Sequence, residues 1–428
     1  MKVIRYPERE VWQEILQRPF VDHASIEASV REILNDVKQG GDECVRRYTR
    51  TFDKVEIGEI TVSDEEFARA EKRTPDDLKA AIQTAKSNIE KFHAGQREDI
   101  RQIETTKGVF CWRRSVPIEK VGLYVPAGSA PLFSSVLMLG LPARLAGCDE
   151  IVLCSPPDQN GCVADTILYA AQVCGISKVF KAGGAQAIAA MAYGTETVPR
   201  VYKIFGPGNQ YVTCAKQIVS SDVAIDMPAG PSEVAVLADE SCIPAFVAAD
   251  LLSQAEHGPD SQVILVTPSE DVISETLAEI EKQIVDLPRR SIAERSLANS
   301  KAILVRDLDE GVSLLNEYAA EHLILAVREP DAAAEKVTNA GSVFLGNYSC
   351  ESAGDYASGT NHTLPTAGFA RSFSGVSVDS FVKKITFQKL TPGGLRDLGP
   401  TIEIMAAAEG LDAHKRAISI RLEEINEI

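Results

Sequence analysis

Val121-Gly-Leu-Tyr-Val-Pro126 is a short apolar run that ends at a proline, and it opens a series of similar runs. The later runs lie at 151–154, 179–182, 234–238, 263–266, 302–305 and 342–346. Most are continuous in apolar residues, which is typical of strands covered on both faces. Helical stretches such as 164–173 separate them, as crossover connections between parallel strands do. The pattern predicts an α/β fold with largely parallel sheets, and the length of 428 residues favours two sheets over one.

The two ends of the chain have a different pattern of apolar residues from the middle. The first hundred residues are predicted to be helical, with one helix beginning near Ser25 and another covering about 75–92. Near the other end, a weak strand-like patch after Phe381 precedes a helix predicted from about Thr401 to Glu427. The stripe of Ile418, Leu422 and Ile425 on that helix fits two partners equally well, a second subunit or the chain's own body.

Composition excludes several classes of function. Lys and Arg total 44 against 61 Asp and Glu, so the net charge of −17 would repel nucleic-acid phosphates, and no basic cluster offsets it. No apolar stretch is long enough for a membrane helix, and the first residues lack the apolar core of a signal peptide. We therefore expect a cytoplasmic protein with no membrane or nucleic-acid partner.

Nine scattered cysteines form no C-x-x-C pair. They are interpreted as reduced core thiols in a reducing compartment. The alternative is a catalytic thiol at Cys148 or Cys154, although no base is evident beside either.

Four of the six histidines sit beside carboxylate or amide groups. Gln254 and His257 are three residues apart at the end of a helix predicted over 244–256, so they could clasp one cation. The alternative is a polar helix end whose histidine is favoured by the helix dipole. Glu321 and His322 are adjacent just before an apolar run, where they could form an acid/base pair or a solvated pair at a strand start.

Two further constellations lie toward the C-terminus. The stretch 351–365 is rich in small and polar residues, so we predict a functional loop rather than a helix, carrying Asp355 and His362. Glu409 and His414 are five apart, too far round a straight helix to chelate one ion together. No G-x-G-x-x-G occurs, but glycines at 183–184 and 206–208 could let backbone amides approach a pyrophosphate.

Eight segments, taken together, carry a family resemblance. They lie at 121–134, 183–189, 205–209, 226–233, 251–261, 320–323, 352–362 and 406–415. In this order, and over nearly the whole chain, the sequence resembles the histidinol dehydrogenases. The resemblance implies a zinc-dependent homodimer that oxidises L-histidinol through L-histidinaldehyde to L-histidine with NAD, the last step of histidine biosynthesis.

The resemblance also implies roles for individual residues. The implied zinc ligands are Gln254, His257, Asp355 and His414, the last from the partner subunit, with one zinc ion per subunit. The implied acid and base are Glu321 and His322. The implied substrate contacts are Ser232, Gln254, His257, His322, Asp355, His362, Glu409 and His414, and the implied NAD contacts are Tyr124, Gln186 and Asn209.

The implied architecture is two intermingled doubly wound, incomplete Rossmann-like α/β domains plus a small helical C-terminal dimerisation arm. Residues 23–127 with 233–366 would form the domain with most catalytic and metal residues. Residues 128–232 with 1–22 would form the NAD-binding domain, and 376–428 the arm on the partner subunit. Two alternatives stay open: a relative acting on another amino alcohol or a sulfonate-bearing alcohol, and a zinc-held structural or binding protein without turnover.

Overall fold

The computed structural model describes residues 1–19, 23–127, 131–228 and 230–427. The strands in these ranges are β1 (Lys2–Arg5), β2 (Ile103–Thr106), β3 (Val109–Pro117), β4 (Lys120–Tyr124), β5 (Glu150–Ser155), β6 (Lys178–Lys181), β7 (Lys203–Phe205), β8 (Ala224–Ile225), β9 (Glu233–Ala238), β10 (Gln262–Thr267), β11 (Lys301–Leu304), β12 (His322–Ala326), β13 (Ser342–Leu345) and β14 (Val382–Leu390). The helices there are α1 (Trp12–Ile15), α2 (His23–Phe52), α3 (Asp64–Arg73), α4 (Asp76–Ala94), α5 (Phe133–Ala146), α6 (Asp165–Val173), α7 (Gly184–Tyr193), α8 (Gln210–Val219), α9 (Pro244–Ala255), α10 (Glu270–Gln283), α11 (Arg290–Ala298), α12 (Leu308–Tyr318), α13 (Pro330–Ala334), α14 (Glu351–Tyr356), α15 (Pro392–Ala408) and α16 (Asp412–Glu427).

The described ranges contain two parallel sheets, which confirms the predicted α/β fold. A five-stranded sheet has the order β6-β5-β4-β7-β8, and a six-stranded sheet has the order β1-β11-β10-β9-β12-β13. Every strand pair in both sheets is parallel. The predicted apolar runs are their strands, with ends that move by one or two residues.

Each parallel sheet is covered on both faces, which explains the lack of alternation in its sequence. In β5, Ile151 and Leu153 enter a core shared with α5 and α6. Val152 and Cys154 point into the opposite core, with α2, α7 and α8. The six-stranded sheet is built in the same way, with α9 to α11 on one face and α1 and α12 on the other.

The N-terminal segments group differently from the prediction. Residues 1–22 were assigned to the domain of 128–232, but β1 pairs with β11, and Trp12 packs in the core of the six-stranded sheet. Helix α2, which was grouped with 233–366, packs instead on the five-stranded sheet. An edge strand of four residues carries too little pattern to name its sheet, so only long-range pairing places it. The predicted boundaries at 22/23 and 127/128 adjoin residues outside the described ranges, and the domain limits stay a prediction.

The chain divides into two compact units. The first, Met1–Gln96 with Ile118–Phe381, holds both parallel sheets, and the second consists of Arg97–Pro117 and the chain from Val382 onward. In the second unit, β14, β3 and β2 form an antiparallel sheet. The prediction of a weak strand near 382 missed both its length and its pairing with β3, because its partner lies far away in sequence.

The predicted helix over 401–427 is wrong as a single helix. Helix α15 ends at Ala408 and α16 begins at Asp412, with Gly410 between them at φ +70°. The two helices pack on each other, and a Cβ at Gly399 would lie 2.9 Å from Leu422 and 3.2 Å from Ile418. The apolar stripe therefore folds back on its own chain. In the part of the chain described, no helix is both long and apolar enough to cross a membrane.

Candidate active site

The Gln254 and His257 constellation lies at the end of α9. Gln254 is in the helix's last turn and only 1% exposed, whereas His257 follows the helix and lines an open cleft. The amide nitrogen of Gln254 lies 2.8 Å from Nδ1 of His322 and donates to Oε2 of Glu351 at 3.3 Å. The end of α9 therefore contacts the Glu321 and His322 pair and is not an isolated polar helix end.

Glu321 and His322 are buried, so they are not a solvated pair. They are 7% and 3% exposed, at the amino end of β12 and beside β9. Oε2 of Glu321 accepts a hydrogen bond from the backbone N–H of Glu233 at 2.9 Å. Nδ1 of His322 lies 3.2 Å from the carbonyl oxygen of the same residue. Pairing between β9 and β12 therefore fixes both groups against the main chain of one residue, Glu233.

Asp355 and His362 come from the stretch predicted to be a loop. That prediction is wrong for 351–356, which form α14, and the rest of the stretch has no regular secondary structure. Packing overrides helix propensity here, since a Cβ at Gly354 would lie only 2.7 Å from the ring of Phe344. Oδ1 of the Asp355 carboxylate lies 3.3 Å from Nε2 of His322. The main-chain carbonyl oxygen of Asp355 lies 2.8 Å from Nδ1 of His362.

Glu351 was missed by the sequence reasoning. It is the first residue of α14 and is 1% exposed, with Ser253 Oγ 2.6 Å from its Oε1 and Gln254 Nε2 3.3 Å from its Oε2. Its partners lie almost a hundred residues earlier in the chain, and no local spacing could have revealed them.

Burial and mutual charge shift the proton affinities in this cluster. Burial raises the pKa of Glu321 and of Glu351 well above that of an ordinary carboxyl group. Burial also opposes the charged ring of His322, but Glu321, Asp355 and Glu351 outweigh it and raise the pKa of His322. The pKa of Asp355 is lowered because its hydrogen bond and charge interaction with His322 outweigh its burial. Groups with such pKa values are suited to acid/base catalysis.

The donor set fits a cation. Gln254 Oε1 is buried and has no hydrogen-bond partner among the described residues, whereas the amide nitrogen beside it donates to Glu351 and lies 2.8 Å from Nδ1 of His322. Gln254, His257 and Asp355 would offer an amide oxygen, an imidazole and a carboxylate. Imidazole and carboxylate are usual zinc ligands, and the amide oxygen is an uncommon one. Within the described ranges, no three His, Cys, Asp or Glu side chains already converge on one point.

A cleft of about 680 Å³ connects several of the predicted positions. Asn209, Ser232 and His257 all line it. Asn209 is the N-cap of α8, and its side chain accepts from the backbone N–H groups of Tyr211 and Val212 at 3.1 Å. A predicted cofactor contact, a predicted substrate contact and a predicted metal ligand therefore face one space.

The other two predicted cofactor contacts lie where α7 begins. Tyr124 ends β4, and its hydroxyl accepts from the backbone N–H of Gly184 at 3.0 Å. Gln186 is almost fully buried, and both of its amide atoms lack partners within the described chain. Asp53, which was missed, has a buried oxygen that is also unpartnered there, and burial raises the pKa of Asp53 to about 6. Parallel sheets commonly bind ligands at this carboxyl edge.

Glu409 and His414 belong to the second unit. Glu409 is the C-cap of α15, and His414 is exposed in the first turn of α16. The helix breaks between them, so the premise of one straight helix was wrong.

An ion pair between Arg18 and Glu233 lines the cleft. Arg18 makes two hydrogen bonds to the carboxylate of Glu233, which is buried, and its guanidinium lies 4.2 Å from the ring centroid of Tyr318. The backbone N–H of Ala367 also donates to this carboxylate at 2.9 Å. Glu233 is thereby fixed at both its side chain and its main chain.

These features define a class of protein. Two parallel sheets with a shared cleft and a buried cluster of carboxyl groups and an imidazole are those of an α/β enzyme. The family model described as histidinol dehydrogenase matches residues 16–422, and the chain belongs to the histidinol dehydrogenase family.

Individual relatives agree over their full length. The chain is 61% identical to the histidinol dehydrogenase of Bacteroides fragilis over 426 residues, covering 99% of this chain and 100% of that protein. It is 60% identical to that of Bacteroides thetaiotaomicron, with 99% of each chain covered. The crystal structure of histidinol dehydrogenase from Elizabethkingia anophelis superposes with a TM-score of 0.98 at 55% identity, covering 100% of this chain and 99% of that one.

Removal of the Arg18 guanidinium should destabilise the first unit. Arg18→Met leaves the carboxylate of Glu233 buried without its counter-charge, so we expect the free energy of unfolding to fall by on the order of 3 kcal/mol. The matched control is Arg5→Met, which removes an exposed ion pair with Glu270 and should leave stability unchanged. Denaturant unfolding of both variants measures the difference, and equal stabilities would contradict the assigned role.

Proposed function

We propose that this chain catalyses the two-step oxidation of L-histidinol to L-histidine, with zinc and NAD as cofactors. The observation that carries the proposal is the buried pair of Glu321 and His322, with the partly buried Asp355, beside the unpartnered oxygen of Gln254. A structural metal site would need no buried acid and base beside it. Membership of the family supports the same activity.

Zinc would be held by Gln254, His257 and Asp355, with His414 from the second subunit of a homodimer as the fourth ligand. The unmet hydrogen-bonding capacity of Gln254 Oε1 supports the first of these ligands. When bound, the metal would supply a positive charge that binds the substrate's nitrogen atoms and orients the reacting carbon.

His322 is proposed to take the proton that the alcohol group releases. The charged ring that forms is stabilised by Glu321, Glu351 and Asp355, the groups that raise its pKa. Glu321 is proposed to activate the water that attacks the aldehyde carbon, since burial raises the pKa of this carboxyl toward neutrality. NAD would accept a hydride in each of the two oxidations.

The remaining predicted residues would bind the two organic molecules. Ser232, His362 and Glu409 would contact histidinol together with the metal ligands and His322. Ser232 lines the cleft, and His362 faces Ser135 and Asp355. Tyr124, Gln186 and Asn209 would contact NAD, which would satisfy the free amide atoms of Gln186.

The proposed dimer has support in the second unit. Ile404 and Met405 of α15 are 71% and 61% exposed, and Leu411 and Ile420 are also exposed. Apolar side chains grouped in this way are common at subunit interfaces. A cytoplasmic location is part of the same proposal.

A coupled assay tests the function. L-Histidinol with NAD should yield NADH and L-histidine, whereas leucinol, an amino alcohol without an imidazole, should react far more slowly. A chelator should abolish turnover and zinc should restore it, because the proposed ligands include histidines and an aspartate. Full turnover by protein that elemental analysis shows to be free of metal would refute the zinc proposal, and equal rates on both alcohols would refute the substrate.

Mixed subunits test the shared site. His257→Ala and His414→Ala should each be inactive, but a mixed dimer would place both defects in one site and leave the other site intact. With random pairing about half of the dimers are mixed, so roughly a quarter of wild-type activity should return. If mixed dimers form, as shown by differently tagged subunits, and remain inactive, His414 does not act across the interface.

A further inference from the structure

The carboxyl group of Glu351 is buried against the end of α9, and the proposed chemistry gives it no part beyond the effect of its charge on His322. We propose that Glu351 is a positioning residue that orients the amide of Gln254, so that Oε1 faces the metal and Nε2 does not. The inference rests on the proposed zinc site and adds to it a residue that binds neither metal nor substrate.

The two ends of the Gln254 amide group have different surroundings. Gln254 Nε2 lies 3.3 Å from Oε2 of Glu351 and 2.8 Å from Nδ1 of His322. A carboxylate oxygen can only accept a hydrogen bond, so the atom that faces it must be the amide nitrogen. The carbonyl oxygen is then turned to the other side, where it is buried and no described group hydrogen-bonds to it.

This orientation is compatible with both the ionised and the neutral form of Glu351. Oε1 of Glu351 is 2.6 Å from Ser253 Oγ, which is itself 2.8 Å from the carbonyl oxygen of Asp250. An ionised Glu351 accepts at both oxygens. A neutral Glu351 can place its proton on Oε1 and donate it to Ser253, whose hydroxyl then donates to Asp250. In both states Oε2 remains an acceptor for the amide of Gln254.

Loss of the acceptor would leave the amide free to turn. The two orientations of a glutamine amide have almost the same shape, so packing alone selects between them weakly. A turned amide would present N–H groups, which cannot bind a cation, where the oxygen should be. Groups that orient metal ligands in this way contribute about 10- to 100-fold to metal affinity.

The test is the zinc dissociation constant of the full-length protein, freed of metal by chelation and titrated against a chromophoric zinc indicator. Glu351→Leu should weaken zinc binding by about 10- to 100-fold. Glu351→Gln should stay within about threefold of the wild type, because its carbonyl oxygen can still accept from Gln254 while its amide donates to Ser253. The control is Glu66→Leu, which removes a buried carboxyl group of the same unit; within the described ranges it pairs with Lys181 and hydrogen-bonds to Ser63, neither of them a site residue.

Weak binding by Glu351→Leu with near-normal binding by Glu351→Gln and Glu66→Leu supports the inference, and wild-type affinity in Glu351→Leu overturns it. If Glu351→Leu does not fold, Glu351→Asp takes its place, since a side chain shorter by one methylene cannot reach Gln254 and should also bind zinc weakly. Absence of zinc binding by the wild type would overturn the zinc proposal itself and this inference with it.

Discussion

The main chain of Glu233 is the point on which the candidate site depends. Its N–H donates to Glu321 and its carbonyl oxygen lies 3.2 Å from His322, while its side chain is fixed by Arg18. Because Glu233 begins β9 and His322 begins β12, register between two central strands of the six-stranded sheet sets the positions of both catalytic candidates. Both candidates are therefore held by the geometry of the sheet.

The rest of the cluster is added to this pair by helices. Helix α9 brings Gln254 to Nδ1 of His322, and α14 brings Asp355 to Nε2. The two nitrogen atoms of the His322 ring therefore contact side chains from two different helices. The carboxyl groups around the ring cannot all ionise at low cost in a buried space, so burial raises the pKa of Glu321 and Glu351. The same packing that positions the site also tunes its proton affinities.

Local sequence predicted the features that depend on local pattern. Continuous apolar runs gave the strands, and the end of α9 placed Gln254 near His257. Adjacent Glu321 and His322 before an apolar run were correctly expected at a strand start. The features that failed depend on distant partners. Local sequence could not show that strand β1 pairs with β11. Helix α14 depends on the fit of Gly354 against Phe344. The importance of Glu351 is visible only from its contact with Gln254. Glu321 and His322 also lie at the amino end of their strand, β12, whereas ligand sites of parallel sheets are usually sought at the carboxyl ends.

The most direct test of the account separates the two oxidations. Glu321→Gln keeps a carbonyl oxygen for the N–H of Glu233 but cannot take a proton from water. With L-histidinaldehyde and NAD, the variant should form L-histidine about 10²- to 10⁴-fold more slowly than the wild type, while the alcohol step followed in a single turnover should change little. Oxidation of the aldehyde at the wild-type rate would contradict the role of Glu321 and, with it, the claim that this buried pair is the acid/base centre.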